Sequence, residues 1–222
     1  MCGRFTLRTP MSKIAEVFGL DETLDVEPRY NVAPTQQVVA IRPGPTADNR
    51  ELALLRWGLI PHWADDPSIG NRMINARAET VAGKPSFRQA FKKRRCLVVA
   101  DGFYEWKKID GKKQPYYIHL KDDQPFGFAG LWERWNREGE EIQSCTIITT
   151  EPNELMKPIH NRMPVIVQST DYDRWLDPDF QNSEALQQVL QRYPADAMEA
   201  FPVSTIVNNP RNEEAGCIER LE

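Results

Sequence analysis

Arg94-Arg95-Cys96-Leu97-Val98-Val99-Ala100-Asp101-Gly102-Phe103-Tyr104-Glu105-Trp106 is the stretch on which the fold turns. The apolar run over 96–100 is too short for a buried helix and reads as a strand. Asp101-Gly102 breaks it, and 103–107 resumes as an aromatic, strand-like segment. Downstream, Asp110-Gly111 supplies a hairpin turn before a strand over 115–120. More strand signals follow at 126–132, 144–150, 163–167 and near 201–206. Upstream, 38–42 and 51–60 read the same way, with Pro43-Gly44-Pro45 punctuating the loop between them. Thr9 as cap, Pro10 at the first helical position and Gly19 as stop predict a short amphipathic helix through Met11, Ile14, Ala15 and Phe18. Phe87, Ala90 and Phe91 suggest a second helix ending in Lys92-Lys93-Arg94-Arg95, where cations suit the dipole. A third is expected at 183–193, capped by Ser183. Residues 61–80 read as irregular. Many short strands with a few flanking helices and no βαβ alternation predict an α+β fold. Its core would be a largely antiparallel sheet or barrel, in one domain over 1–222.

Composition narrows the function. The 222 residues are 41% hydrophobic and 27% charged, as in ordinary globular chains, so wholesale disorder is excluded. No apolar run approaches the ~18 residues of a membrane span. The amino end lacks the apolar core of a secretory signal, so a cytoplasmic protein is expected. The net charge of −4 argues against a generally basic coat for nucleic acid, though it leaves room for a local basic groove. Cys2, Cys96, Cys145 and Cys217 form no CxxC pair, which leaves a zinc ribbon or thioredoxin motif unsupported. They read as free thiols, with Cys96 and Cys145 in the core.

Cys2 follows the initiator methionine. Removal of Met1 would leave a 1,2-aminothiol, whose amine and thiol have ordinary pKa values of about 7.7–8.0 and 8.5. Its amine could form a Schiff base with an aldehyde, and its thiol could close that to a thiazolidine. Alternatively, the thiolate could attack an amide with the amine as base. Read alone, Cys2 is equally an unprocessed, frayed terminus. Three other elements carry chemical side chains. Asn75 opens the polar stretch Asn75-Ala76-Arg77-Ala78-Glu79. Glu105 lies among aromatics; buried there, it would have a raised pKa, whereas at the solvent end of a strand it would be inert. His160, in Ile159-His160-Asn161-Arg162-Met163-Pro164, is one of three histidines, and a lone histidine is more often structural than catalytic. His62 and His119 keep the structural reading. Arg4, Arg77 and Arg162 each follow a candidate (Cys2, Asn75, His160) by two residues. In strands they would share its face and gather three phosphate-binding forks around one site. Trp57, Trp63 and Trp106 are core residues or platforms for exposed bases.

These segments together resemble the SRAP (SOS-response-associated peptidase) family, whose members process abasic sites. The matching blocks are MCGRFT (1–6), RYNVAPTQ (29–36), RWGLIPHWA (56–64), NARAET (75–80), RRCLVVADGFYEW (94–106), FAGLWE (128–133) and IHNRMPVIV (159–167). They run in family order over 1–167. The resemblance implies capture of an abasic site in single-stranded DNA as a reversible thiazolidine crosslink at Cys2, shielding the lesion from strand cleavage. Glu105 would then be the general acid and base, His160 would stabilise the sugar and shuttle protons, and Asn75 would orient the cysteine or sugar. Arg4, Arg77 and Arg162 would hold phosphates, and Trp106 would pack beside the lesion. No metal or organic cofactor is implied. The partner is damaged single-stranded DNA, with no membrane, and a monomer near the nucleoid or replication fork is expected.

Two rivals remain. The first is a thiol peptidase or amidohydrolase, because class II glutamine amidotransferases also expose a cysteine after MCG, although the later blocks here differ from theirs. The family name keeps autopeptidase and lyase-type activities in view. The second is a noncatalytic single-strand-binding module using the arginines and tryptophans.

Overall fold

The computed structural model describes residues 2–44 and 49–222. Pro45, part of the expected loop punctuation, lies outside them. The strands are β1 (Phe5–Leu7), β2 (Arg29–Val32), β3 (Gln37–Pro43), β4 (Arg50–Trp57), β5 (Asn75–Arg77), β6 (Arg95–Ala100), β7 (Gly102–Ile109), β8 (Lys112–Leu120), β9 (Phe126–Arg137), β10 (Glu140–Thr150), β11 (Met163–Pro164) and β12 (Met198–Pro202). The helices are α1 (Met11–Phe18), α2 (Arg88–Lys93), α3 (Tyr172–Leu176) and α4 (Ser183–Val189).

Seven strands form one sheet in the order β11-β10-β4-β3-β6-β9 with β5 on β10, and β9 pairs back onto β10. That closure makes a five-stranded barrel of β10, β4, β3, β6 and β9. Among the described residues, parallel pairing is confined to β10, which meets β4 at Ser144↔Arg56 and Cys145↔Trp57. β5 then takes over the same strand at Ile147↔Asn75. The other sheet runs β12-β8-β7-β1-β2, all antiparallel. The fold is thus α+β and largely antiparallel, as the strand pattern predicts.

Alternation assigns each face. Val38, Ala40, Leu55, Cys96, Val98, Phe128, Cys145 and Ile147 fill the barrel, in one cluster with Phe5, Phe103 and Ile118 of the other sheet. Residues of opposite parity (Val39, Ile41, Leu97, Val99 and Leu131) face outward and are covered by Ile14, Phe18, Phe91, Trp175 and Leu186 of the helices. This explains why 96–100 is apolar without alternation: both faces of β6 are buried. Gly102 is required by packing, because a Cβ there would fall 2.2 Å from the Tyr117 hydroxyl.

Arg95 lies within this core at 1% exposure. It donates to the carbonyls of Trp175 (2.6 Å), Phe91 (2.8 Å), Lys92 (2.6 Å), Phe180 (3.0 Å) and Asp177. Burial lowers its pKa to about 10, so the cation persists at neutral pH and ties the ends of α2 and α3 together.

Several boundaries differ from the sequence reading. Pro10 rather than Thr9 occupies the α1 cap position, because the Thr9 N–H and hydroxyl both donate to Asp101. Asn182 rather than Ser183 caps α4, accepting from the N–H groups of Glu184 and Ala185. The expected strand at 201–206 is shifted to β12, and Thr205–Asn208 instead forms a 3-10 turn capped by Ser204. Asp110 and Gly111 form the expected hairpin turn, with φ of +48° and +80°. All four cysteines are buried and unbridged.

Candidate functional site

Cys2 is completely buried, ahead of β1. It shares a cluster with Phe5, Val32, Met156, Ile159 and Met163. Burial pushes its thiol far above the ordinary range, and the nearby Glu105 charge pushes the same way. The resting sulfur is therefore a protonated thiol that needs a base to become a nucleophile.

Glu105 comes from β7. Phe103 and Glu105 point to one side of that strand, and Tyr104 and Trp106 to the other, where they pack with Tyr117, Val203 and Val207. Glu105 is 2% exposed, and burial raises its carboxyl to about 7. Of the two sequence readings of Glu105, this environment is the buried acid with a raised pKa rather than the solvent end of a strand. His160 follows the turns at 154–159, and its Nε2 faces Glu105 Oε2 at 3.9 Å. The Arg162 N–H donates to a bare Nδ1 at 3.1 Å, and a protonated Nδ1 donates to the Arg162 carbonyl at 3.2 Å. Either neutral tautomer is anchored, which suits a group that relays protons. Burial also lowers the His160 pKa, so the neutral ring dominates at pH 7.

Asn75 begins β5. Its Nδ2 donates to the Ile147 carbonyl at 3.4 Å, and its buried Oδ1 has no hydrogen-bond partner among the described residues. The segment before it is fixed by the Trp57 indole, which donates to the Ile74 carbonyl at 2.9 Å. Trp57 is therefore a buried core residue, whereas Trp63 is half exposed. Arg77, two residues on, is exposed and pairs in register with Thr149. Arg162 reaches that threonine from the other side. Its Nη2 donates to the Thr149 carbonyl at 2.5 Å, and its fork grips both carboxylate oxygens of Glu79 at 2.8 and 3.0 Å.

The expected triangle of arginines needs correction. Residues 2–4 precede β1 and lack strand geometry, so the i, i+2 rule fails between Cys2 and Arg4. Arg4 turns to the opposite side of the sheet and donates to Asn31 Oδ1 (2.6 Å) and the Val207 carbonyl (2.7 Å). It lies over the Trp106 ring at 5.9 Å, and the Trp106 indole donates to Asn208 at 2.7 Å. Arg77 and Arg162 meet at Thr149; Arg4 and Trp106 form a separate group. Glu79 was missed: although it lies within the NARAET block, nothing in the sequence marks it as the partner of Arg162. A groove of about 600 Å³ beside β4 and β10, lined by Arg42, Glu51, Leu54 and Gln143, contains none of these residues.

Comparison with known proteins gives a consistent picture. The family model for SOS response associated peptidase (SRAP) matches residues 1–210. The Abasic site processing protein YoqW of Bacillus subtilis (strain 168) is 50% identical over 99% of both chains. The Abasic site processing protein YedK of Escherichia coli (strain K12) is 32% identical over 99% of both. A solved structure of a protein from Bacteroides thetaiotaomicron superposes with a TM-score of 0.89 at 28% identity, covering 100% of each chain.

Proposed function

Because the chain belongs to the SOS response associated peptidase family, we propose that it processes abasic sites in single-stranded DNA by covalent capture at Cys2. The observation that supports this most is the grouping of a buried thiol, a buried carboxyl held near neutrality and a partly exposed histidine anchored in both neutral tautomers. Such a set suits stepwise proton transfer better than a single irreversible attack.

The chemistry starts with removal of Met1, which frees the Cys2 amine. Glu105 in its acid form protonates the ring oxygen of the abasic deoxyribose while the anomeric hydroxyl loses its proton, opening the ring to the aldehyde. The amine adds to C1′, and loss of water leaves an imine. The thiol then adds across the C=N bond. Sulfur joins C1′, the thiol proton reaches nitrogen by way of Glu105 or His160, and a thiazolidine results. One water is released and no redox change occurs. An imine left open would allow β-elimination and strand cleavage, so ring closure is protective. Reversal runs through the same groups, with His160 returning a proton. The Asn75 Oδ1, without a partner among the described residues, is the acceptor for the Cys2 amine or a sugar hydroxyl. Arg77 and Arg162 bind the flanking phosphates, whereas Arg4 and Trp106, tied to Asn31, Val207 and Asn208 on the opposite side of the sheet, lie apart from that pair. An abasic site offers no base to read, and a single strand costs less to distort than a duplex.

The test is intact-protein mass spectrometry after incubation with a single-stranded oligonucleotide bearing one abasic site, with an undamaged oligonucleotide as control. Adduct on the damaged strand alone, in protein lacking Met1 and absent from Cys2→Ala, is the expected result. Processed protein that forms no adduct but turns over an amide substrate without DNA would replace this reading with the peptidase one.

A further inference from the structure

We propose that Glu79 is a specificity-setting residue: its carboxylate occupies the guanidinium fork of Arg162, so that a DNA phosphate must compete for that fork. The inference rests on the reading that Arg77 and Arg162 bind phosphates. Both carboxylate oxygens of Glu79 are engaged, one on each terminal nitrogen of Arg162. This is the bidentate geometry a phosphate would adopt, since carboxylate and phosphate offer the fork the same paired oxygens. The second terminal nitrogen also donates to Thr149, so Arg162 is held at the mouth of the site with its side chain only 15% exposed. Glu79 itself is 45% exposed and can swing into solvent. The charge of Arg77 also acts on Glu79, so one carboxylate offsets two cations.

The consequence concerns discrimination. Noncovalent attraction to phosphates is blind to damage, because every strand carries them. An internal anion weakens that attraction for all strands alike. Covalent capture at Cys2 is open only to an aldehyde and survives the handicap. Glu79 therefore trades affinity for undamaged DNA against selectivity for the lesion. The Arg162 contact holds the Glu79 carboxyl below the ordinary carboxylate range, so mild acid does not release the fork.

The experiment is fluorescence anisotropy with a labelled, undamaged single-stranded oligonucleotide over a range of salt concentrations. Wild type, Glu79→Gln, Arg162→Ala and the double variant are compared, alongside adduct formation by wild type on the abasic strand. Glu79→Gln is expected to bind about 3- to 10-fold more tightly, because a phosphate no longer has to displace a carboxylate from the fork. The gain should vanish in the Arg162→Ala background. Unchanged or weaker binding by Glu79→Gln overturns the inference. So does a gain that persists without Arg162, which would mean diffuse repulsion rather than a contested fork. If wild type still forms its adduct in those cases, the inference alone falls. If wild type neither binds DNA nor forms adduct, the proposed function falls with it.

Discussion

Asp101 and Glu105 are two carboxylic acids four residues apart, exposed to 0% and 2%, and the chain uses them in opposite ways. Asp101 accepts from the Thr6 hydroxyl (2.6 Å), the Arg8 N–H (2.6 Å), the Thr9 N–H (2.7 Å) and the Thr9 hydroxyl (2.8 Å). Those donors dock the end of β1 and the approach to α1 onto the β6–β7 junction. Glu105 instead lies near two ionisable groups, Cys2 and His160, and burial sets its own carboxyl at about 7. Fixed donors make a buried acid a joint; titratable neighbours suit Glu105 to the proton transfers proposed for it. Burial by itself therefore does not tell the two acids apart; the character of their partners does.

The sharpest challenge to this contrast is kinetic. Glu105→Gln is expected to slow adduct formation by about 10²- to 10⁴-fold, the usual worth of a general acid–base group. Asp101→Asn, where it folds, should stay within a few-fold of wild type in the same gel-shift time course. Equal losses would erase the distinction. Stability should invert the ranking. Asp101→Asn keeps one acceptor oxygen and turns an NH₂ toward backbone donors, so urea titration should show a loss of about 2–4 kcal/mol.

Glu105→Gln should instead stabilise the fold in alkaline solution. The folded pKa of about 7 lies above the ordinary carboxylate value, so the native state binds more protons than the unfolded one between about pH 4.5 and 7. Stability from this group falls as pH rises through that window. The variant should match wild type at pH 4 and exceed it by up to about 3 kcal/mol at pH 8, taking 1.36 kcal/mol per pKa unit. A variant that is less stable at pH 8 would make Glu105 a structural residue after all. The same value shapes the rate. A free α-amine near 7.7–8.0 sets a rising limb and Glu105 a falling one, so adduct formation should peak near pH 7.5. Glu105→Gln should lose the falling limb. The smallest expected effect is at Thr6: Thr6→Val removes one donor from Asp101 and should cost about 1–2 kcal/mol by the same urea titration.

These contrasts also explain what the sequence could reveal. The long strands were legible because β3, β6, β7, β8, β9 and β10 each carry enough apolar residues for a pattern. β1, β2 and β5 span three or four residues and exist through their partners, so no local signal announces them. Cys2, Glu105 and His160 stood out because their chemistry is unusual in its local setting. The four-donor cradle of Asp101 was invisible, since its donors lie 92–95 residues away in the chain. The Arg162–Glu79 pair spans 83 residues and was hidden for the same reason. The i, i+2 rule misplaced Arg4 because it was applied to residues outside any strand.

The bond from Arg4 to Val207 spans 203 positions, and Asn31 donates to the carbonyls of Val207, Asn209 and Asn212. At ribosomal speeds of about 5–20 residues per second, the first strand waits roughly 10–40 s for these partners to be made. Met156, Ile159 and Met163, which wall in Cys2, also arrive late. Until those partners are made, Cys2 and the first strand lack the contacts that bury them.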